Sequence, residues 1–434
     1  MSSPGTSPEP GFRRVFHPGV RDDRGQLLGG TEVLHLVAHR GRLFCSLSYK
    51  LHAEQPGDRP IGSQIAVLDH AAGRWQLDRE YDRAQWRATL ESVTFTQDRH
   101  GTPLAQPVSV LLAAPSDNRG MVCVDSRDDR TGTWTRTQLG TGATAGGIRS
   151  FFVHRDQVTG QERVFAGTVP IGMFSGTYDP DVPGQIRWDA RPELDGYHRR
   201  PMAFAECNGQ LYTTIKPDMW RRIDGPSPRW EKVYTIPVPV IIPSCGLRGL
   251  TAVPRPGGEG QVLLASLEGD HCRVVRIDPE DGFRETMELQ VLDLLGERWG
   301  SRPTYGVVAY DDFTPVVDPG TGSATGSATG SATGQTLLLS GLGATYSTKV
   351  DWHPPDGWTD DAWYLIRYPD GRRYDVRRIE APEPRPSLVV VRSIAVSPFE
   401  PGTLYFGGYD PNAKPARDTA WVYSAPIGAA LAPA

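Results

Sequence analysis

Short apolar runs recur along the whole chain, each broken by Gly, Pro, Asn or Asp, and their length predicts strands rather than helices. One unit repeats: an apolar strand, a short turn, a second strand ending in small residues, then a hairpin closing on Trp. The first copy reads VLHLVAH (33–39), RLFCSL (42–47) and SQIAVLD (63–69), and closes at Trp75. The second runs LESVTFT (90–96), VSVLLAA (108–114), MVCVD (121–125) and Trp134. The third is IRSFFVH (148–154), RVFAGT (163–168) and Trp188; the fourth MAFAEC (202–207), QLYTTI (210–215), MWRRID (219–224) and Trp230. LRGLTAV (247–253), QVLLASLEG (261–269) and CRVVRID (272–278) make the fifth. TYGVVAY (304–310), TLLLSGL (336–342) and AWYLIRY (362–368) make the sixth, and VRSIAVS (391–397), TLYFGGYD (403–410) and AWVYS (420–424) the last.

Taking Leu34, Glu91, Arg149, Met202, Arg248, Tyr305 and Arg392 as equivalent starts, the spacings are 57, 58, 53, 46, 57 and 87 residues. Such a period fits a four-stranded blade and predicts an all-β fold: one β-propeller of seven four-stranded blades. Radial closure removes sheet edges, and FRRVF (12–16) is the expected closing strand, on the last unit. The Trp residues are expected to fill the wedges between blades. The domain reading is a disordered N-terminus (1–11), a propeller over 12–427 and a C-terminal tail (428–434). Residues 318–335 form a Gly/Ser/Ala/Thr-rich insertion around TGSATGSATGSATG (321–334), which buries no apolar surface and is expected to be a flexible loop.

Composition agrees: 434 residues carry 48 Gly and 38 Pro with 38% hydrophobic residues, which suits many short strands and turns. A net charge of −5 gives no general attraction to nucleic acid or anionic membrane, so neither is an expected partner. Lysine is confined to Lys50, Lys216, Lys232, Lys349 and Lys414, the mark of a GC-rich bacterial genome. MSSPGTSPEPGFRR lacks the apolar core of a secretory signal, and Cys45, Cys123, Cys207, Cys245 and Cys272 have no CxxC spacing. A cytoplasmic protein with reduced, buried thiols is expected.

In a propeller the first strand of each blade lines the axis, so aligning the units assembles a site from distant positions. The column of starts brings Arg149, Arg248 and Arg392 together with Glu91 and Tyr305, and the next column is small except at His35. The ends of the second strands add Tyr49, Lys50, Asp117, Lys216, Glu268, Tyr409 and Asp410 to the same face, and PIGMFSGTYDP (170–180) is expected as a loop adding Tyr178 and Asp179. Arg149, Arg248 and Arg392 form the expected clamp for a carboxylate, phosphate or sulfate, since the guanidinium fork grips oxyanions bidentately. Tyr49, Lys216, Tyr178, Asp179, Tyr305, Tyr409 and Asp410 complete the substrate-binding set. His35, Glu91 and Glu268 are the acid/base candidates. The competing reading pairs the arginines with Glu91, Glu268 and Asp410 as braces between blades.

His35 and His39 lie about 13 Å apart on a strand, too far to share a metal, and His154 shares the column of His39 at a turn. DSRDDRTGTW (125–134) departs from calcium-loop spacing and is expected to be a hairpin turn. That stretch resembles the Asp-box turns of sialidase-like propellers, and three arginines resemble their carboxylate clamp. Its Asp-to-Trp spacing, its single occurrence and the seven units depart from that family. The Gly-His and Trp-Asp signatures of WD40 repeats do not recur. Over nearly its full length the chain resembles the seven-bladed β-propeller superfamily in general.

The function expected is an enzyme acting by acid/base chemistry (lyase, isomerase, cyclase or hydrolase type) on a small anionic or sugar-like molecule at the channel mouth. No organic cofactor is expected; the channel leaves room for a divalent metal held from several blades. The alternative, a non-catalytic scaffold for protein partners, would show an exposed apolar patch of several hundred Å².

Overall fold

The computed structural model describes residues 11–49, 61–195, 201–237, 246–318, 334–346, 359, 361–380, 388–412 and 418–432. The expectations for residues 1–10, for the 319–333 part of the Gly/Ser/Ala/Thr-rich insertion, for 433–434, and for Lys50 and Cys245 lie outside them.

Antiparallel neighbours in sequence pair in order, from axis to rim. Blade 1 is Glu32–His39, Arg42–Ser48, Ile61–Leu68 and Gln76–Asp82; blade 2 is Gln85–Gln97, Pro103–Asp117, Met121–Asp128 and Thr133–Thr141. Blade 3 is Gly147–Arg155, Glu162–Val169, Met173–Tyr178 and Ile186–Trp188, and blade 4 is Pro201–Cys207, Gln210–Ile215, Asp218–Ile223 and Arg229–Thr235. Blade 5 is Leu247–Pro254, Gln261–Leu267, Arg273–Asp278 and Arg284–Gln290, and a helix, Val291–Trp299, leads out of it. Blade 6 has an inner strand in two pieces, Tyr305–Val308 and Thr314–Val317, both paired with Thr336–Thr345, followed by Trp363–Arg367 and Tyr374–Arg378. Blade 7 has Val390–Val396, Thr403–Tyr409 and Trp421–Pro426.

The fourth strand of blade 7 comes from the other end of the chain. Arg13–Phe16 pairs antiparallel with Trp421–Pro426, Arg13 opposite Ser424 and Phe16 opposite Val422. Phe12 packs edge-on against Phe406, and Phe16 against Trp75 of blade 1. The closing strand expected from FRRVF therefore joins the two ends into a ring of seven four-stranded blades, a β-propeller. Just beyond the last strand, a short helix, Ile427–Leu431, turns Ile427 and Ala430 into the same core.

The wedges between blades are apolar with a polar lock. Trp75, Trp134 and Trp230 each reach the preceding blade: Trp134 Nε1 donates to Asp78 Oδ2 (2.7 Å) and Trp230 Nε1 to Glu193 Oε1 (3.0 Å). Third-strand arginines pair with the same neighbours, Arg127 with Asp78 (2.8 Å), Arg222 with Glu193 (2.7 Å) and Arg367 with Glu288 (2.7 Å). These three lie on blades 2, 4 and 6. His39 and His154 bridge in the same way, from blade 1 to Asp129 (2.8 Å) and from blade 3 to Glu206 (2.8 Å) and Asp224 (3.0 Å). The DSRDDRTGTW stretch is a hairpin, with Asp128 capping Arg130 N at 2.9 Å. Cys45, Cys123, Cys207 and Cys272 are buried.

Because Phe16 fills the closure wedge, Phe16→Ala should cost about 3–5 kcal/mol in equilibrium urea unfolding. A loss below about 1 kcal/mol would mean that the strand does not hold the ring shut.

Candidate functional site

The inner strands share a local irregularity that sets the site. Near its start each carries one residue more than its partner: between Val33 and His35, Gln85 and Arg87, Ile148 and Phe151, Pro201 and Phe204, Arg248 and Thr251, and Val391 and Ser393. Such bulges bend a strand and re-aim side chains. Blade 6 departs further. Its ladder passes from Val308 opposite Leu342 to Thr314 opposite Leu339, six steps against three, so three extra residues loop out. Ala309 takes a left-handed backbone (φ +48°), and Gly249 of blade 5 is what admits it, since a Cβ there would collide with that of Ala309. The loop delivers Tyr310, Asp311 and Asp312 to the axis.

Asp311 is the centre of the cluster. Its Oδ1 lies 3.2 Å from Arg149 Nη2 and its Oδ2 lies 3.7 Å from His35 Nδ1. Arg392 binds Glu32 Oε1 at 2.6 Å and lies 4.6 Å above the Tyr310 ring. Arg248 is paired with Glu268, donates to the Tyr310 carbonyl at 3.1 Å and lies 5.7 Å from the same ring. Tyr305 Oη donates to Glu268 Oε1 at 2.6 Å, and the Tyr310 and Tyr409 hydroxyls lie 3.4 Å apart. Arg87 approaches Glu32 Oε2 at 3.7 Å. Arg149, Arg248, Arg392, His35, Glu268, Tyr305 and Tyr409 thus meet around one axis.

Other residues of the aligned columns fall elsewhere, for identifiable reasons. Tyr178 and Asp179 belong to the opposite face. Most of the supposed loop is the third strand of blade 3, which runs away from the mouth. Tyr178 is stacked on Phe95 in the wedge between blades 2 and 3, and Asp179 is tied to Arg99 (3.1 Å) and Arg187 (2.7 Å). Glu91 is not the counterpart of Arg149. The inner strand of blade 2 begins at Gln85, so Arg87 takes that place and Glu91 sits four residues deeper in the channel. Glu268 is a poor free acid or base, being engaged by Arg248 and Tyr305. Lys216 forms the turn after the second strand of blade 4, with φ +56° and its carbonyl accepting from Leu247 N at 3.3 Å. Tyr49 is buried where blade 1 meets blade 2, its amide donating to Trp86 O at 2.8 Å. Asp117 holds Gln85 Nε2 (3.0 Å), and Asp410 caps Asn412 N (2.8 Å). The bracing reading holds for Arg248 with Glu268, whereas Arg392 is braced by Glu32 instead.

Sequence alignment of the units missed Glu32, Arg87, Tyr310, Asp311 and Asp312. The alternation Trp86, Ala88, Leu90 continues upstream of LESVTFT and would have moved that strand's start. Two adjacent aspartates directly after the apolar run TYGVVAY were the other available signal.

Burial, together with Arg149, Arg392 and Arg87, pushes His35 down to about 4 against the pull of Asp311, so its imidazole is neutral at pH 7. Burial drives Asp311 upward, but Arg149, His35, Arg392 and Arg248 outweigh it and hold the carboxyl well below the usual range. Arg149 is pushed down by burial and by the arginines around it. Burial, then Asp312 and Asp311, raise Glu91 to about 8; burial and Asp311 raise Asp312 to about 6. Asp312 is solvent-exposed yet enclosed enough for desolvation to dominate, the combination expected of a side chain facing a narrow channel. Among the described residues no three His, Cys, Asp or Glu side chains converge to hold a metal ion. A cavity of about 540 Å³ between blades 3 and 4 lies apart from this axis, and its Arg222 is paired with both Asp156 and Glu193.

No family model and no curated relative matches the chain. Solved structures similar to it include PorZ, a bacterial surface component of the type-IX secretion system of Porphyromonas gingivalis, with TM-score 0.40 and 10% identity over 91% of this chain and 36% of that one. They also include the periplasmic gluconolactonase PpgL of Pseudomonas aeruginosa (TM-score 0.41, 13% identity, 80% and 88%) and a GH43 β-1,3-galactosidase solved with galactodeoxynojirimycin (0.30, 10%, 63% and 98%). The chain spans about a third of the length of PorZ. The class itself, a seven-bladed β-propeller, rests on the ladder pairings described above.

Glu91 ionises at higher pH folded than unfolded, so the stability tied to its neutral form is complete below its ordinary value of 4.5 and lost as pH passes about 8. His35 acts oppositely: its contribution is present above 6.5 and lost as pH falls through about 4. Glu91→Gln should therefore gain stability relative to the parent between pH 5 and pH 8 in thermal unfolding. Parallel curves for the two proteins would show that Glu91 titrates normally.

Proposed function

We propose that this propeller is an enzyme that cleaves a small anionic, sugar-like molecule in its central channel by acid/base chemistry of the hydrolase or lyase type. The observation that carries the reading is the pair Glu91 and Asp312. Two carboxyls share one enclosed channel, Glu91 raised to about 8 by burial and by Asp312 and Asp311, Asp312 raised to about 6 by burial and by Asp311. At neutral pH the first is a proton donor and the second an acceptor, and such divergence of neighbouring groups is how acid and base roles are assigned. Arg149 supplies the anion contact, and neutral His35 lines the same pocket as a hydrogen-bonding group. Glu268 and Glu32 act through the arginines that they position.

Charge disposition is what supports an enzyme over a scaffold. Among the described residues the large exposed apolar side chains are Val158, Met287, Val317, Tyr346 and Val396, spread over blades 3, 5, 6 and 7. Singly scattered apolar residues are ordinary surface.

Turnover, screened over carboxylated lactones and glycosides, should follow a bell-shaped pH profile with limbs near 6 and 8. Glu91→Gln should lower kcat by about 10²–10⁴ and remove the alkaline limb. A Gln variant with parental kcat and an unchanged profile would refute the assignment of Glu91 as the acid.

A further inference from the structure

The three arginines of the axis are not held alike. Arg248 is fastened by Glu268 and by the Tyr310 carbonyl, and Arg392 by Glu32. Among the described residues, the carboxylate within ion-pair distance of Arg149 is Asp311. That pairing is incomplete: neither Asp311 oxygen accepts a hydrogen bond from a described residue, and Arg149 Nε and Nη1 donate none. A guanidinium binds a carboxylate best through two parallel N–H···O bonds, and Asp311 offers Arg149 a contact without that geometry. Buried polar groups are ordinarily hydrogen-bonded. A carboxylate of better fit has unused donors waiting.

The carrier of Asp311 is also separable from the sheet. Residues 309–313 interrupt the inner strand of blade 6, and the ladder is intact on both sides. Ala309 N is anchored to Gly341 O at 3.1 Å and Phe313 is buried, so Tyr310–Asp312 is a short span between fixed points.

We propose that Asp311 is a built-in counter-ion, standing where the carboxylate of a small ligand docks on Arg149, and that ligand binding displaces Asp311 while its neighbours Tyr310 and Asp312 stay in the channel. Exchange of one carboxylate for another leaves the charge at Arg149 unchanged, whereas a dianion would add to it; a monocarboxylate is therefore the ligand class. The inference rests on the channel being a ligand site, and it requires no turnover there.

The test is titration with acetate near pH 7, against chloride and sulfate at matched ionic strength, read by calorimetry. Asp311→Asn removes the competitor, so the variant should bind acetate at least about tenfold tighter than the parent. Sulfate should bind more weakly, and Arg149→Met should abolish acetate binding in both backgrounds. Equal or weaker acetate binding by Asp311→Asn, or acetate no tighter than chloride, would overturn the proposal. Should that variant not fold, hydrogen exchange on the parent protein decides: acetate should accelerate exchange at the Asp311 amide. Unchanged exchange under saturating acetate would overturn it equally. Acetate binding that survives Glu91→Gln while turnover is lost separates this inference from the catalytic reading. Turnover of carboxylated substrates without acetate competition would sink this inference and leave the enzyme standing.

Discussion

Seven inner strands can share one axis only if the ring is closed, and here closure is a β-ladder between the two ends of the chain. Arg13–Phe16 supplies the outer strand of the blade formed by Val390–Val396, Thr403–Tyr409 and Trp421–Pro426. Phe12 and Phe16 lock that strand to blades on either side of the seam. Glu32 and Arg392 then meet across the seam at 2.6 Å, although 360 residues separate them in sequence. The site is a consequence of the closure, because its members come from blades 1, 2, 3, 5, 6 and 7.

Convergence creates an electrostatic problem that the fold must answer. Like charges 4 Å apart repel by about 4 kcal/mol near a protein surface, and Arg87, Arg149, Arg248 and Arg392 crowd one channel. Glu32, buried at the start of a strand, and Glu268, just past the end of one, sit beside them. The remaining compensation comes from irregular backbone. Blade 6 gives up regular pairing over 309–313 and accepts a left-handed Ala309, at about 1–2 kcal/mol, to bring Asp311 to Arg149. Strained backbone of this kind clusters at functional sites. The same loop brings Asp312 close enough to act on Glu91, whose carboxyl is raised further than that of Asp312.

The repeat was legible because strand alternation and turn residues follow local rules, and even the closing strand could be read from FRRVF lacking a partner nearby. Arg149, Arg248 and Arg392 could be brought together because their blades keep a common offset between strand start and bulge. That offset fails in blade 2, where a thirteen-residue inner strand hides its first half behind the more apolar LESVTFT, so Glu91 stood in for Arg87. Tyr178 was misplaced because PIGMFSGTYDP is rich in turn residues, yet Met173–Tyr178 is a strand buried along its whole length. Asp311 was hidden for a deeper reason: a break in a strand is decided by packing against Gly249 and by charge across the channel, neither of which is written in the local sequence.

With Glu91 as the acid and Asp312 as the base, the axis holds one protonated and one ionised carboxyl at neutral pH. Carbon-13 NMR of the side-chain carboxyls, assigned by difference against Glu91→Gln and Asp312→Asn, reads this directly. The expected midpoints are near 8 for Glu91 and near 6 for Asp312. Midpoints near the ordinary 4.5 and 3.8 for both groups would contradict it.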